Sequence, residues 1–264
     1  MSKKLEPQQN KWRKALYSYL KQIFQINKLY DRAIKTGPIL EKATLFPGHS
    51  ELTPLTAALQ KQTRALLKEI DALPRMHELS STQGRFAHRD GRRWSVLPLR
   101  LYGLDLNSNQ LQVPALTPFL QNHPEVTSAA ISILESGKRI RPHRGPYRGI
   151  MRYHLTLHCD ESDASRNCQL RVANQWIPYR EGEDLLWDDT FEHEVRNRTK
   201  GDRIALLLDV RRPDLPWILS LINTSTIKAI GMYCWLQQRR FLVAPPRPRQ
   251  SIARQLSTEK DSAA

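Results

Sequence analysis

The sequence predicts a mainly β domain, a sandwich or a barrel, with helices before and after it. Three observations point there. Up to Pro74 the apolar residues recur at helical three-four spacing. Beyond it the period changes to short apolar or alternating segments punctuated by Gly, Pro, Asn and Asp. A long apolar stretch, 217–236, then carries a single charge, Lys228. With 264 residues, 40% of them hydrophobic, the chain can bury a real core.

The first helix is predicted over 11–35. Trp12, Leu16, Tyr19, Leu20, Ile23, Ile26, Tyr30 and Ile34 make its apolar stripe, and Gly37-Pro38 ends it. Lys and Arg fill much of the remainder, so it could lie on an anionic membrane surface or pack on the body. Thr53-Pro54 opens a second helix over 53–73, with Leu55, Leu59, Leu66, Leu67 and Ile70 on its stripe and Pro74 closing it. Strands are predicted over 94–102, 129–134, 150–158, 168–173, 184–187 and 203–210. The stretch 217–236 has the length of a membrane span, but Asn223-Thr224-Ser225-Thr226 breaks its middle. An amphipathic helix, on the body or at a bilayer surface, fits better. The tail from Pro245 is expected to be disordered. The chain thus divides into a basic helix (1–36), a helical lead-in (37–79), a β domain (80–216), a helical extension (217–244) and a tail (245–264).

The net charge of +15 suggests nucleic acid, but its distribution does not. Residues 1–35 hold nine Lys/Arg against two Asp/Glu, and residues 237–264 hold six against two. The body between them is nearly balanced, as in an ordinary enzyme, and nucleic acid is not an expected partner. Met-Ser-Lys-Lys leads into a polar stretch, so no signal peptide is expected. Cys159, Cys168 and Cys234, odd in number and irregular in spacing, fit a reducing compartment. A cytoplasmic protein is expected, at the inner face of the membrane if 11–35 and 217–236 bind lipid.

Chemistry is suggested by faces. In 150–158, Met151, Tyr153, Leu155 and Leu157 share one face; Arg152, His154, Thr156 and His158 share the other. In 203–210, Ile204, Leu206, Leu208 and Val210 oppose Arg203, Ala205, Leu207 and Asp209. Such a polar face is either solvated or lines a pocket. His143, in Arg-Pro-His-Arg-Gly-Pro, and His193, in Phe-Glu-His-Glu-Val, each lie beside a strand end and are compatible with two metal ligands at a barrel mouth. Asp188, Asp189, Glu192 and Glu194 crowd His193. Asp189 is the acid best placed to orient it; the other three are expected to be exposed or to cap the turn.

HRGPYRG–MRYHLTLH, WDDTFEHEVRN and DRIALLLDVRRP, in this order, resemble the aspartyl/asparaginyl β-hydroxylase family of Fe(II)/2-oxoglutarate dioxygenases, whose bacterial branch includes lipid A acyl-chain hydroxylases. The resemblance runs over about residues 80–213. It implies a double-stranded β-helix, a cupin-like jelly roll with helices packed outside. It implies Fe(II) on His143 and His193, with 2-oxoglutarate and O2 as co-substrates. Arg203 would pair with the distal carboxylate of 2-oxoglutarate, a task its planar guanidinium suits. Arg152, His154 and Ser132 would help hold that co-substrate. The acid usual two residues after the first histidine is replaced by Gly145, as in the β-hydroxylase branch; the lipid branch more often keeps an acid there. Asp189 would then balance the metal's charge through bound water. Arg148, Trp94 and Arg100 are candidate substrate-side residues. The implied reaction hydroxylates the β-carbon of an Asp or Asn side chain in a peptide or conjugate; a lipid acyl chain is the alternative. A basic binding module without catalysis is a third reading, which retention of both histidines and Arg203 opposes.

Overall fold

The computed structural model describes residues 25–76, 87, 90–160 and 167–237. Among them are β1 (Trp94–Leu101), β2 (Leu104–Asp105), β3 (Val126–Leu134), β4 (Arg139–His143), β5 (Ile150–His158), β6 (Cys168–Val172), β7 (Gln175–Pro178), β8 (Asp184–Trp187), β9 (His193–Asn197) and β10 (Arg203–Arg211). They form a six-stranded sheet, β2-β1-β3-β10-β5-β8, and a four-stranded sheet, β4-β9-β6-β7. Every pairing is antiparallel. The two sheets face each other, and helices pack outside: this is the expected jelly roll.

Period-two alternation decides which face of the large sheet is the core. Met151, Tyr153, Leu155 and Leu157 of β5 join Ile204, Leu206, Leu208 and Val210 of β10 on its outer face. A helix over 25–33 (α1) precedes the lead-in, where α2 (Thr56–Leu66) covers that face with Leu59 and Leu66. Each such leucine contributes about 1.5–3 kcal/mol relative to exposure. The other face of β5 and β10 looks toward the small sheet. A second cluster, with Leu134, Cys168, Leu170, Val172, Tyr179 and Trp187, fills the space between the sheets. All three cysteines are buried, and none of them is in a disulfide.

The elements differ from expectation in three places. The helix expected over 53–73 is not continuous: a short helix His49–Leu52 and a turn precede α2, and the last turns tighten into a 3-10 helix, Leu67–Ala72, with Glu69 off helical geometry. Strands β2, β4, β7 and β9 were not expected, and β3 begins at Val126 rather than residue 129. The turn from β1 to β2 runs through Tyr102 (φ 47°) and Gly103 (φ 85°), the left-handed pair a two-residue hairpin requires.

Of the two readings of the first helix, residues 25–34 take the packed one. Tyr30 and Ile34 are buried with Tyr147, Ile150 and Leu215. The rest of 11–35 and the tail 245–264 lie outside the described residues. The extension 217–236 is one helix, α3 (Trp217–Gln237), as expected. Asn223 and Ile227 seat it on the body. Among the described residues, no helix is long and apolar enough to cross a membrane.

Candidate active site

His143 closes β4, His193 opens β9, and the two residues pair in register. Their ring centroids lie 4.0 Å apart. His143 Nδ1 is 2.7 Å from the Arg141 carbonyl, and His193 Nδ1 is 3.0 Å from the Phe191 carbonyl. A carbonyl only accepts, so both imidazoles donate from Nδ1, and the lone pair resides on Nε2. Burial depresses the basicity of both; His193 is driven to about 3, with His143 beside it adding to the effect. Two neutral histidines with Nε2 lone pairs at one strand junction form a donor set suited to Fe, Zn, Cu or Ni.

Gly145 and Asp189 explain each other. A Cβ built on Gly145 would collide with the Asp189 carboxylate. The Gly145 N–H also donates to the Asp189 carbonyl at 2.7 Å. The space an acid at 145 would occupy is therefore taken by an acid from the loop after β8. Arg152 holds Asp189 Oδ2 at 3.3 Å, while Oδ1 is buried without a partner. Burial raises Asp189 to about 7 against the pull of Arg152. Among the described residues, no group of three or more His, Cys, Asp or Glu is arranged to hold a metal. Asp189 stands beside the histidine pair rather than completing a three-ligand set.

A chain of ring and polar contacts leads from the histidines into the barrel. The Trp187 indole meets His193 at 4.6 Å and His154 at 5.5 Å, both edge-on. His154 Nδ1 is 3.1 Å from the Tyr179 hydroxyl. The Tyr179 ring lies 4.8 Å beneath the Arg203 guanidinium. Burial, with Arg203, Arg152 and His193 nearby, holds His154 neutral. Ser132, on β3 opposite Ala205, accepts from Trp94 Nε1 at 3.0 Å. Four donor or acceptor sites along this path are buried without a partner: Trp187 Nε1, His154 Nε2, and Arg203 Nε and Nη1. An unpaired buried guanidinium is costly, so its persistence fits a site shaped for a carboxylate.

The three other acids around His193, expected to be exposed or to cap the turn, divide: Asp188 caps the turn but is buried, Glu192 is exposed, and Glu194 is buried, contrary to the expectation. Asp188 is fully buried: Oδ1 accepts from the Thr190 N–H and hydroxyl, and Oδ2 receives Arg212 at 2.7 Å and Arg148 at 3.3 Å. Glu194 is buried under Arg139, Arg171 and Arg196 on the outer face of the small sheet. Glu192 reaches the same Arg171 and remains half exposed.

His143, His193, Asp189, Arg152, His154, Ser132 and Arg203 therefore share one interior. Arg148 sits at its mouth, stacked on Phe191 and paired with Asp31 and Asp188. Trp94 orients Ser132. Arg100 lies elsewhere: its guanidinium is committed to Asp105 and to the carbonyls of His123 and Val126 at the β1–β2 hairpin. Trp187 and Tyr179 were not singled out in the sequence, where they read as ordinary strand aromatics.

A sequence profile described as aspartyl/asparaginyl β-hydroxylase matches residues 56–213. An ornithine lipid ester-linked acyl 2-hydroxylase of Rhizobium tropici is 32% identical over 176 residues, which are 67% of this chain and 61% of that protein. The human aspartyl/asparaginyl β-hydroxylase is 31% identical over 127 residues, 46% of this chain and 16% of that one. The chain thus spans less than two thirds of either relative. Among solved structures, a cupin domain of a transcriptional regulator from Enterobacter cloacae matches 44% of this chain and 95% of that one, at 12% identity and a TM-score of 0.29.

Proposed function

The chain belongs to the aspartyl/asparaginyl β-hydroxylase family, and from that membership and its site we propose that it is an Fe(II)/2-oxoglutarate-dependent dioxygenase that hydroxylates an unactivated C–H bond. One observation carries the proposal. Two neutral histidines and an unpaired buried arginine line the same interior, which suits a metal at one end and a dicarboxylate anchored at the other.

The residues fit such a group. His143 and His193 would hold the iron through Nε2, and Arg203 would hold the distal carboxylate of 2-oxoglutarate, with Ser132 and His154 beside it. Iron, when bound, supplies the oxygen chemistry that couples decarboxylation of 2-oxoglutarate to hydroxylation. The chain's own part is geometric and electrostatic. The Arg141 and Phe191 carbonyls fix both imidazole tautomers. Asp189, clamped by Arg152 and by its backbone bond to Gly145, sets the turn that follows His143. Trp187, buried, packs edge-on against His193 and restricts its ring. Arg152 is held by Asp209 and Asp189, so it acts on the co-substrate through Asp189 rather than by direct pairing.

The β-carbon of an Asp or Asn side chain, in a peptide or conjugate, is the leading substrate, and Gly145 supports it. A lipid acyl chain is the second reading, supported by the longer alignment with the ornithine-lipid enzyme. The protein is further proposed to work in the cytoplasm, at the inner face of the membrane, through 11–35 and 217–236.

Uncoupled turnover tests the chemistry. Protein purified without oxygen is given Fe(II), 2-oxoglutarate and air, with a His143→Ala/His193→Ala control. Succinate released only by the intact chain is the expected result. No succinate together with no Fe(II) binding would sink the dioxygenase and leave the non-catalytic binding module.

A further inference from the structure

Ten large apolar side chains are exposed among the described residues, and seven of them are on α3. Soluble surfaces scatter such residues singly; a contiguous group marks an interaction site. The helix is apolar on nearly its whole circumference, yet only one half is used. Asn223, Ile227 and Cys234 face the body, with Asn223 bonded to the Gly149 carbonyl and to the Tyr147 hydroxyl. On the other half, Trp217, Leu221, Met232 and Trp235 follow one another at helical spacing, each more than half exposed.

The composition of that half selects among partners. Tryptophan stands at each end of the stripe, the placement that suits a headgroup layer, apolar on one side and wet on the other. The helix holds no Asp or Glu, and Lys228 is exposed at its centre. A second copy packed stripe to stripe about a two-fold axis would bring Lys228 close to its own symmetry mate, which disfavours self-association. The charge around it has the same sign. α1 and α3 touch, with the Tyr30 hydroxyl 3.5 Å from the Leu219 carbonyl. Residues 25–35 carry Lys28, Arg32 and Lys35 against Asp31, and Arg211 lies with Lys228 in the lining of one cleft. Anionic lipid is the partner that matches an apolar stripe, interfacial tryptophans and a basic surround together.

The position of α3 gives such docking a direction. Gly231 packs α3 on the Tyr102 carbonyl of the β1–β2 turn, and beside this contact lies a cleft of about 730 Å³ lined by Tyr102, Leu104, Arg211, Lys228, Met232 and Trp235. Arg211 ends β10 opposite Ile150, the start of β5, at the same end of the barrel as the histidine pair. Two residues along, Asp209 holds Arg152, which holds Asp189. The cleft and the histidines therefore lie at the same end of the barrel.

We propose that the exposed half of α3 lies flat on an anionic lipid surface and turns the histidine end of the barrel toward the bilayer. The proposal deepens the membrane part of the reading above and is independent of its chemistry. The test is flotation of the full chain with vesicles of phosphatidylcholine alone and of an equimolar mixture with phosphatidylglycerol. Binding is expected only to the mixed vesicles. Leu221→Glu/Met232→Glu is expected to lower it at least tenfold at constant salt. Trp217→Ser/Trp235→Ser, which adds no charge, should lower it in the same direction, with circular dichroism as the check on folding. Unchanged binding by both folded variants would overturn the proposal, as would a dimer that these variants dissociate without altering flotation. Succinate release is read on the same samples. Turnover that persists when flotation fails removes only the docking, and flotation that persists without turnover counts only against the dioxygenase.

Discussion

The two faces of β5 and β10 are built from the same strands and do opposite work. Outward, Met151, Tyr153, Leu155, Leu206 and Leu208 are buried against helices and each other. Inward, His154, Arg203 and Asp209 alternate with them, and several of their polar atoms have no partner. A strand pair that stabilises on one side can carry a costly, unsatisfied constellation on the other. Stability and chemistry are thus separated by one residue in register.

The sharpest break of this comparison is on the inward side. His143→Ala/His193→Ala should abolish 2-oxoglutarate turnover, a loss of at least about 10³-fold (about 4 kcal/mol), while the melting temperature moves little. Succinate assays and thermal melts on one preparation check both halves. Large unfolding in place of lost turnover would make the pair structural.

The outward side should answer in the reverse way. Leu206→Ala should cost about 2–5 kcal/mol, because a close-packed core leaves a cavity. The surviving folded fraction should keep its 2-oxoglutarate dependence. Denaturant melts give the first quantity and saturation curves the second. A shifted 2-oxoglutarate requirement would show that the two faces are coupled.

Arg203 sharpens the comparison, because there the two sides trade. Arg203→Met removes a buried guanidinium whose Nε and Nη1 are unpaired, and it keeps an apolar contact on Tyr179. Relief of unmet hydrogen bonds is worth about 1–3 kcal/mol, and loss of the cation–ring contact returns about 0.5–2 of it. A net stabilisation of about 1 kcal/mol is expected, together with a strongly raised 2-oxoglutarate requirement. A destabilised variant with unchanged saturation would remove Arg203 from the co-substrate site.

How much of this was legible depended on whether a signal was local. β5 and β8 fall on the residues expected, because each alternates or runs apolar between turn residues. β4 and β9 were invisible as strands: Arg139-Ile-Arg-Pro-His and His193-Glu-Val-Arg-Asn spend their outer positions on Arg–Glu pairs, which leaves little apolar signal. The fold class followed from turn punctuation, but the jelly roll itself came through the family resemblance. So did the roles proposed for His143, His193 and Arg203, since no local spacing joins them. Asp188 read as a surface acid because Arg148 and Arg212, which bury it, are 40 and 24 residues away. Trp187 and Tyr179 gave no sign of a role beyond packing, since only the closed barrel sets their rings against His193 and Arg203.

The smallest expected effect is a titration beside the outward core. His123 stacks on Phe119 and lies between two carboxylates, Glu125 at 2.8 Å and Glu51 at 3.0 Å. Burial opposes its charging, but the two carboxylates outweigh burial and raise its pKa above 6.5. A histidine raised in the folded state binds its proton more tightly there than in the unfolded chain. Its stabilisation is fully present below 6.5 and fades as pH rises through the folded value. Glu51 is largely exposed, so solvent screening limits the effect to about 1 kcal/mol or less. Denaturant melts from about pH 6 to about 9 should therefore show a shallow fall in the native chain that is absent in His123→Gln, in the direction fixed by the linkage sign. A rise over that range, or an identical slope in the variant, would place the pH dependence elsewhere. Since the inward histidines are depressed by burial rather than raised, the slope would also separate the two faces by sign: carboxylates raise the outward imidazole, and burial lowers the inward ones.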